Sequence, residues 1–504
     1  MTSEPIVRDY RLALSSLLEG EPRPSRDVML TDISQDSRGV ARGGAFLASQ
    51  GRRSHGLAHV ATALARGATV VLWEPAPGVE APSLPADVIG VPVPSLGARA
   101  GELADRFFRT PSADLKVAGV TGTNGKTTTA YLLAQAADAV GRRGAYLGTL
   151  GAGRPGRLAG ADLTTPDAVS VHRRLAEARD DGSDTLAMEV SSHALDQGRV
   201  GGVRFDTAVF TNLSRDHLDY HGTLEAYGAA KMRLFRSLGL RSAVINVQDP
   251  FGRELAETLD ESVESVWFST GSELIAAPRI GWIRLSGMRA LATGLTLHVE
   301  SSWGAGTLRS RLVGAFNAEN LLATLGVMLG WRVPLQQALA AVGACQPPPG
   351  RMEVFGGGSH PVAIVDYAHT PDALAKVLDA ARAHARGRLH CVFGCGGDRD
   401  PGKRPQMGAI AEELADAVVL TNDNPRTEDP REILAQIAAG MRDASRAVVI
   451  PDRANAIHHA LSEAEAGDVV VIAGKGHEEY QITGEERRPF SDRRVVLEAL
   501  GAAT

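Results

Sequence analysis

Gly122, Thr123, Asn124, Gly125, Lys126, Thr127 and Thr128 stand where an apolar run, LKVAGVTG at 115–122, gives way to the alanine- and leucine-rich stretch TAYLLAQAADAV. At a strand-to-helix turn these residue types suit phosphate. Glycines let backbone N–H groups close round the anion at a helix N-terminus, a lysine adds a point charge, and the Thr127 hydroxyl is a ligand for Mg2+. The strict P-loop spacing is not met, because Val120 stands five positions before Gly125 and the nearest glycines are Gly119 and Gly122. A glycine-rich turn without a ligand is the plainer alternative, and the flanking elements weigh against it.

Magnesium prefers hard oxygen donors, and its candidates stand at the ends of later apolar runs. Glu189 in MEVSSH is the better ligand, and His217 in NLSRDHLDYHG a less usual one. Each taken singly also reads as a hydrogen-bonded residue at a strand end. Lys231 lies in the helical stretch YGAAKMRLF. A free ammonium there would repel a divalent cation. A carbamate, formed when the neutral amine adds carbon dioxide, would present two oxygens instead, and burial or nearby positive charge favours the proton loss it needs. A surface lysine is the alternative. The chain has only six lysines among 53 basic residues, which either marks sites for a compact, deprotonable amine or reflects random thinning.

Asp423-Asn424-Pro425-Arg426 follows one later run and Gly474-Lys475-Gly476-His477-Glu478 another. Arg426 and Arg399 offer forks for carboxylates, while Glu478 and Asp423 could hold an ammonium. A pocket with both signs of charge suits a zwitterionic amino acid. Two polar loops with surface ion pairs are the alternative.

To position these groups the chain needs parallel sheets wrapped by helices. From residue 115, β-branched runs ending in Gly, Asp, Asn or Thr alternate with helical patterns: LKVAGVTG, DTLAMEVS at 184–191, FDTAVFTNLS at 205–214 and SAVINVQD at 242–249. Polar residues collect at their C-terminal ends, where open α/β sheets bind ligands. Between 263 and 313 alternating strands such as GLTLHVESS and GTLRSRLVG predict an antiparallel patch on the same domain. A helical pattern runs over 317–343, and QPPPG at 346–350 predicts a domain boundary. Beyond it PVAIVDYAH, RLHCVFGCGG, DAVVLTNDN, RAVVIPD and DVVVIAGKG alternate with helices, as in a second open parallel sheet. Residues 1–112 hold strand candidates AFLAS and ATVVLW round one helix. The expected fold is α/β in three domains: a small α/β N-terminal domain (1–112), a central P-loop parallel-sheet domain (113–346) and a C-terminal Rossmann-like domain (347–504).

Composition agrees with that division. A chain of 504 residues has room for about three domains, and 44% hydrophobic with 22% charged residues is neither disordered nor fibrous. A net charge of -6 argues against a general nucleic-acid coat, so any anion site is local. Cys345, Cys391 and Cys395 frame no disulfide scaffold and complete no zinc pattern, so buried thiols in a reducing compartment are expected. Without an apolar leader or a long apolar window, no membrane span and a cytoplasmic location are expected.

Together the motifs resemble those of the Mur ligase family over essentially the whole chain. They are DSR at 36–38, GTNGKTT at 122–128, TTP at 164–166, MEVSSHAL from Met188, NLSRDHLDYHG from Asn212, AAKMRLF around Lys231, GAFNAEN from Gly314, GRME at Gly350, VDYAHTPD from Val365, GCGGDRDPGKRP from Gly394, DNPR and GKGHE, in family order. The resemblance implies ATP-dependent amide-bond synthesis in peptidoglycan precursor formation. In it meso-2,6-diaminopimelate joins the D-glutamate γ-carboxylate of UDP-MurNAc-L-Ala-D-Glu through an acyl phosphate.

By the same resemblance Ser37, Arg52, Arg53 and Ser54 would hold the uridine nucleotide, and residues 122–128 with Asn317, Asn320, Arg351 and Asp366 would bind ATP. Thr164, Thr165, Ser191, Gln197 and Arg199 would contact the muramyl-peptide. Thr127, Glu189, His217 and a carbamylated Lys231 would hold Mg2+, with Lys126, Lys231 and His217 serving catalysis. Arg399, Asp423, Asn424, Pro425, Arg426, Gly474 and Glu478 would hold diaminopimelate, on a third domain that closes over the site. A monomer without nucleic acid is expected. Leu163 departs from the pattern, where asparagine is expected before TTP, so one contact to the muramyl-peptide is missing or supplied elsewhere. DNPR, TTP and DSR disfavour a folylpolyglutamate synthase or the lysine-adding relative. A nucleotide-hydrolysing regulator that joins no substrates is the reading from another class.

Overall fold

The run ahead of the glycine-rich loop forms strand Lys116–Thr121, inside a parallel sheet. Thr185–Glu189 pairs with it on one side and Thr207–Phe210 on the other. Gly144–Gly148 lies beyond the first, and Ser242–Asn246 and Glu264–Ser269 beyond the second. The next strand along the chain is thus two places to one side, Thr185–Glu189 fills the gap, and the strands after it are on the other side. Loops at the carboxyl ends of the middle strands therefore part, leaving the crevice in which open α/β sheets bind ligands. Val117, Leu186, Met188, Ala208, Phe210 and Ile245 share one core with Val171 and Leu175 of helix Ala168–Asp180.

The computed structural model describes residues 10–19, 24–51, 54–160, 163–271 and 281–501; Arg52 and Arg53 of the expected uridine site lie outside them. The described chain divides into two compact units. The first holds the residues up to Phe268 with 281–282 and 326–333, and the second holds 269–271, 283–325 and the residues from Pro334 onward.

The first unit carries, besides the parallel sheet above, a sheet of four parallel strands in the order Ile33–Ser34, Ala45–Ala48, Val70–Trp73 and Ile89–Pro92. The middle two are the strands expected from AFLAS and ATVVLW. The outer two escape periodicity, one being two residues long and the other containing Gly90 and Pro92. Leu47, Val70, Leu72, Leu103 and Phe107 pack with Ala168, Val169 and Ala176, so this sheet shares a core with the helix Ala168–Asp180. One expectation needs correction at Glu264–Ser269: the stretch from 263 was expected to be antiparallel, but ESVWFS pairs in parallel with Ser242–Asn246. Alternating burial has the same period in either kind of strand, so spacing alone cannot set the direction.

In the second unit Gly294–Ser301 pairs antiparallel with both Gly281–Leu291 and Gly304–Ser310, as expected for this patch. The helical pattern over 317–343 is two helices, Asn317–Gly330, whose residues from 326 are grouped with the first unit, and Leu335–Ala344. Arg332, in the left-handed region (φ 64°), and Pro334, which lacks an N–H, break it. The last sheet runs Glu353–Gly356, Val362–Asp366, Val469–Ala473, Leu389–Phe393, Ala417–Leu420 and Ala447–Val449, all parallel but the first. Val362, Ile364, Val469 and Val471 join one core; Ala363, Val365, Val470 and Ile472 join another. Both faces are covered, which is why these runs read as continuously apolar. All three cysteines are buried, and burial pushes their thiols up to about 12. No described helix is long and apolar enough to cross a membrane.

Contact density thus groups 283–325 with the last section, where the sequence patterns suggested a boundary near 346. His384 is one reason. Its Nε2 accepts from Gly314 N at 2.8 Å, and its Nδ1 lies 2.5 Å from Leu291 O. Burial lowers the imidazole's affinity for protons, keeping it in the neutral form that can both accept and donate. His384→Ala leaves a buried N–H and C=O unpaired, and chemical denaturation is expected to show a loss of about 1–3 kcal/mol.

Candidate active site

The glycine-rich loop opens helix Lys126–Ala139 at the crevice. Its shape is held from the neighbouring strand's end. Thr123 N donates to Asn212 O at 2.8 Å, Asn124 N to Asn212 Oδ1 at 2.9 Å, and Thr211 Oγ1 to Asn124 O at 2.6 Å. Gly122 has φ 148°, and a Cβ there would lie 1.9 Å from Thr211 Oγ1. Gly122→Ala should therefore displace the loop and lower kcat/KM for ATP by about 10²-fold in phosphate-release assays; an unchanged value would remove this loop from nucleotide binding.

Two lysines converge on this loop. Lys126 Nζ donates to Gly122 O at 2.8 Å and Thr123 O at 2.9 Å, while Lys231 Nζ donates to the same Gly122 O at 2.8 Å. Lys231, in helix Leu224–Met232, is 1% exposed, with its Nζ 4.1 Å from the centre of the Tyr227 ring. Burial, then the Lys126 charge, lower its amine to about 6, against the opposite pull of Asp216. It is a buried lysine and no surface one.

Glu189 ends the strand beside the loop and is buried. Its Oε2 accepts from Thr127 Oγ1 at 2.8 Å, and its Oε1 from Tyr146 OH at 2.5 Å and Thr149 N at 2.8 Å. Among the described residues no three His, Cys, Asp or Glu side chains gather to cage a metal. Magnesium needs no such cage, since one carboxylate with phosphate oxygens and waters suffices, and the Thr127–Glu189 pair is a hard-oxygen set that fits it. His217 is half-exposed, its Nε2 3.4 Å from Asp216 Oδ2 and its ring 4.8 Å from that of His193 and 6.1 Å from that of Tyr227.

The residues expected to meet the muramyl-peptide do assemble. Thr164 Oγ1 is 3.0 Å from Thr149 Oγ1. Thr165 Oγ1 donates to Glu189 O at 2.8 Å and accepts from Ser191 N at 3.1 Å, and Arg199 Nη1 donates to Thr165 O at 2.9 Å. Gln197 Oε1 accepts from Arg199 Nη2 at 2.6 Å. Leu163 is 51% exposed beside them. Ser37, buried, and Ser54, exposed, follow the adjacent strands Ile33–Ser34 and Ala45–Ala48 at their carboxyl edge. Glu74, which the sequence did not single out, accepts from Gln50 N at 2.9 Å and Gly97 N at 3.2 Å there.

In the second unit Asn317 Nδ2 donates to Val313 O at 2.7 Å, and Asn320 Nδ2 to Asn317 Oδ1 at 2.8 Å. Asp366 accepts from Met352 N and Ala368 N, both at 2.8 Å, and the Arg351 guanidinium lies 5.2 Å from the Tyr367 ring centre. Burial raises the Asp366 carboxyl, with Arg351 opposing. Asp423, Asn424, Pro425, Arg426, Gly474 and Glu478 come together at the carboxyl ends of Ala417–Leu420 and Val469–Ala473. Arg426 Nη1 donates to Gly397 O at 2.8 Å, and Arg399 Nη1 to Asp398 O at 3.5 Å. Sequence reasoning missed Arg404, fully buried in helix Lys403–Leu414. It grips both oxygens of Glu428 at 2.8 Å and donates to Gly396 O at 3.3 Å, joining the GCGG loop to the segment after Arg426. Its place inside the motif GCGGDRDPGKRP was a signal that went unused, because motif membership says nothing of burial. Tyr146, Thr149, Thr211 and Tyr227 were likewise missed, having unremarkable types at unremarkable spacing.

Three family descriptions match the chain: Mur ligase family, catalytic domain, at residues 30–108; Mur ligase middle domain at 120–328; and Mur ligase, glutamate ligase domain, at 350–476. A UDP-N-acetylmuramoyl-L-alanyl-D-glutamate--2,6-diaminopimelate ligase of Chromobacterium violaceum is 50% identical, over 93% of this chain and 94% of its own. A Pseudomonas aeruginosa protein of the same name is 48% identical, over 95% and 97%. A solved structure bearing that name superposes with TM-score 0.71 at 35% identity, covering 97% of this chain and 99% of the other. MurF from Acinetobacter baumannii, 20% identical, shares the fold with TM-score 0.65 over 92% and 95%.

Proposed function

The chain belongs to the Mur ligase family, and on that premise we propose that it is an ATP-dependent ligase joining 2,6-diaminopimelate to UDP-N-acetylmuramoyl-L-alanyl-D-glutamate in peptidoglycan precursor synthesis. The observation that carries this reading is the glycine-rich loop with Lys126 and the buried Lys231 on one carbonyl, in a chain whose last sheet presents both signs of charge. The finer reading takes the meso isomer as amine, a carbamylated Lys231, a monomer in the cytoplasm, and working domains at 1–112, 113–346 and 347–504.

A carboxylate acylates poorly because oxide is a poor leaving group. The D-glutamate γ-carboxylate therefore attacks the γ-phosphoryl group of ATP, giving an acyl phosphate and ADP. The free amine of diaminopimelate then adds to the acyl carbon, and phosphate departs from the tetrahedral adduct as the amide forms. Residues 122–128 cradle the phosphates by backbone N–H groups, and Lys126 turns from the loop carbonyls to offset their charge. Thr127 and Glu189, with His217 and the carbamate of Lys231, would hold magnesium, which supplies neutralisation of phosphate charge. Asn317, Asn320, Arg351 and Asp366 serve the rest of the nucleotide. Thr164, Thr165, Ser191, Gln197 and Arg199 serve the muramyl-peptide, and Ser37, Ser54, Arg52 and Arg53 its uridine end. Arg399, Asp423, Asn424, Pro425, Arg426, Gly474 and Glu478 orient the amino acid. Alignment of two anions that otherwise repel is the larger part of the rate gain.

Phosphate release in an omission series tests this. Sustained ATP consumption is expected only with both the UDP-dipeptide and diaminopimelate present. Equal consumption with either omitted would mark a nucleotide-hydrolysing regulator instead.

A further inference from the structure

Lys475 takes no part in the reading above, yet it lies at the centre of the amino-acid loops. It is 0% exposed, and its Nζ is 3.0 Å from Glu478 Oε2, 3.1 Å from Asn424 Oδ1 and 3.7 Å from Asp423 Oδ1. We propose that Lys475 is a specificity-determining positioning residue, whose fixed charge between Asp423 and Glu478 leaves the pocket room for one substrate ammonium and makes it prefer a zwitterionic terminus over a bare amine. This rests on the ligase reading and deepens it.

The geometry supports the claim in two ways. First, Lys475 sets the direction of the Asn424 amide. Asn424 Oδ1 accepts from Lys475 and from Ile482 N at 3.0 Å, which turns Nδ2 to donate to Glu478 Oε2 at 2.9 Å. Glu478 is thereby held by two donors on one oxygen. Second, the loops that carry the carboxylates are fixed from below. The Arg453 guanidinium, paired with Asp492 at 2.7 Å, donates to Ala473 O at 2.9 Å and Asn422 O at 3.3 Å, the residues just before Gly474 and Asp423. Gly474 has φ 117°, and a Cβ there would lie 2.7 Å from Asp423 Oδ2, so the carboxylate needs that glycine.

Charge follows from this arrangement. Arg453 and Asp492 cancel each other. Asp423 and Glu478 bring two negative charges and Lys475 one positive, leaving a single negative charge for one incoming ammonium. A zwitterionic terminus supplies that ammonium and gives its carboxylate to the Arg426 fork, whereas a lysine side chain supplies the ammonium alone. Removing the Lys475 charge makes the pocket more negative, which draws a bare ammonium relatively more and repels a carboxylate. A side chain that merely props the loop would alter both substrates alike.

The test compares kcat/KM for 2,6-diaminopimelate and for L-lysine in the full chain and in Lys475→Gln. The ratio of the two is expected to fall at least about tenfold in Lys475→Gln and to stay near the original value in Lys475→Arg, which keeps the charge. Partial unfolding lowers both rates by one factor and cancels in the ratio. An unchanged ratio in Lys475→Gln overturns the proposal. If that variant gives no folded protein, Lys475→Met, which keeps the stem's volume without the charge, is expected to show the same fall in the ratio, and an unchanged ratio there overturns the proposal as well. Failure of the unaltered chain to use diaminopimelate at all would refute the ligase reading itself.

Discussion

Lys231→Ala is expected to lower kcat by about 10³-fold or more while the protein remains folded. The amine is buried, burial lowers it to about 6, and it lies 2.8 Å from a loop carbonyl, so it is placed to react with carbon dioxide. The enzyme should lose activity when carbon dioxide is removed, regain it with bicarbonate, and show the mass of one added carbon dioxide on this residue. Below about pH 6 the amine protonates and the modification should fade. Stability moves the other way. An unmodified Lys231 binds a proton in the unfolded chain up to about its ordinary value of 10.5 but in the folded chain only below about 6, so it costs stability at neutral pH and less as pH rises. Lys231→Met is therefore expected to melt at higher temperature than the carbon-dioxide-free enzyme at pH 7, with the gap closing toward pH 10, while turnover is lost. Full activity of Lys231→Ala would end the carbamate reading.

Arg426→Ala is expected to lower kcat/KM for diaminopimelate by about 10²–10³-fold with little change in the KM for the UDP-dipeptide. The residue sits at φ 50°, a conformation costly for a side chain with a Cβ, and is held there by Arg426 N on Ile482 O at 3.2 Å and Gly484 N on Arg426 O at 2.7 Å. One guanidinium nitrogen bonds Gly397 O, so the fork is pre-aimed with further N–H groups to offer. Arg426→Lys should not restore the rate, because an ammonium cannot bridge two carboxylate oxygens. Preference for diaminopimelate over lysine should disappear in both variants; its persistence would take carboxylate recognition away from Arg426.

Much of the architecture was legible in advance. The parallel strands followed β-branched runs because both faces are covered and no polar residue interrupts them. The place of the glycine-rich loop between a strand and a helix was legible because an apolar run and an alanine- and leucine-rich stretch flank it. The direction of Glu264–Ser269, the break at Arg332 and the grouping of 283–325 with the last section were not legible, because each depends on a partner distant in sequence.

The same division runs through the site. Motif order alone determined the family and with it the ligase chemistry, since those depend on residue type and near-neighbour spacing. Only folding decided that Lys231 is buried with its proton affinity lowered and not a surface cation, that Glu189 is gripped by Tyr146 and Thr149, and that Lys475 stands between two carboxylates. Burial and charge proximity are properties of three-dimensional neighbours. A lysine in a sequence carries no sign of which it will meet.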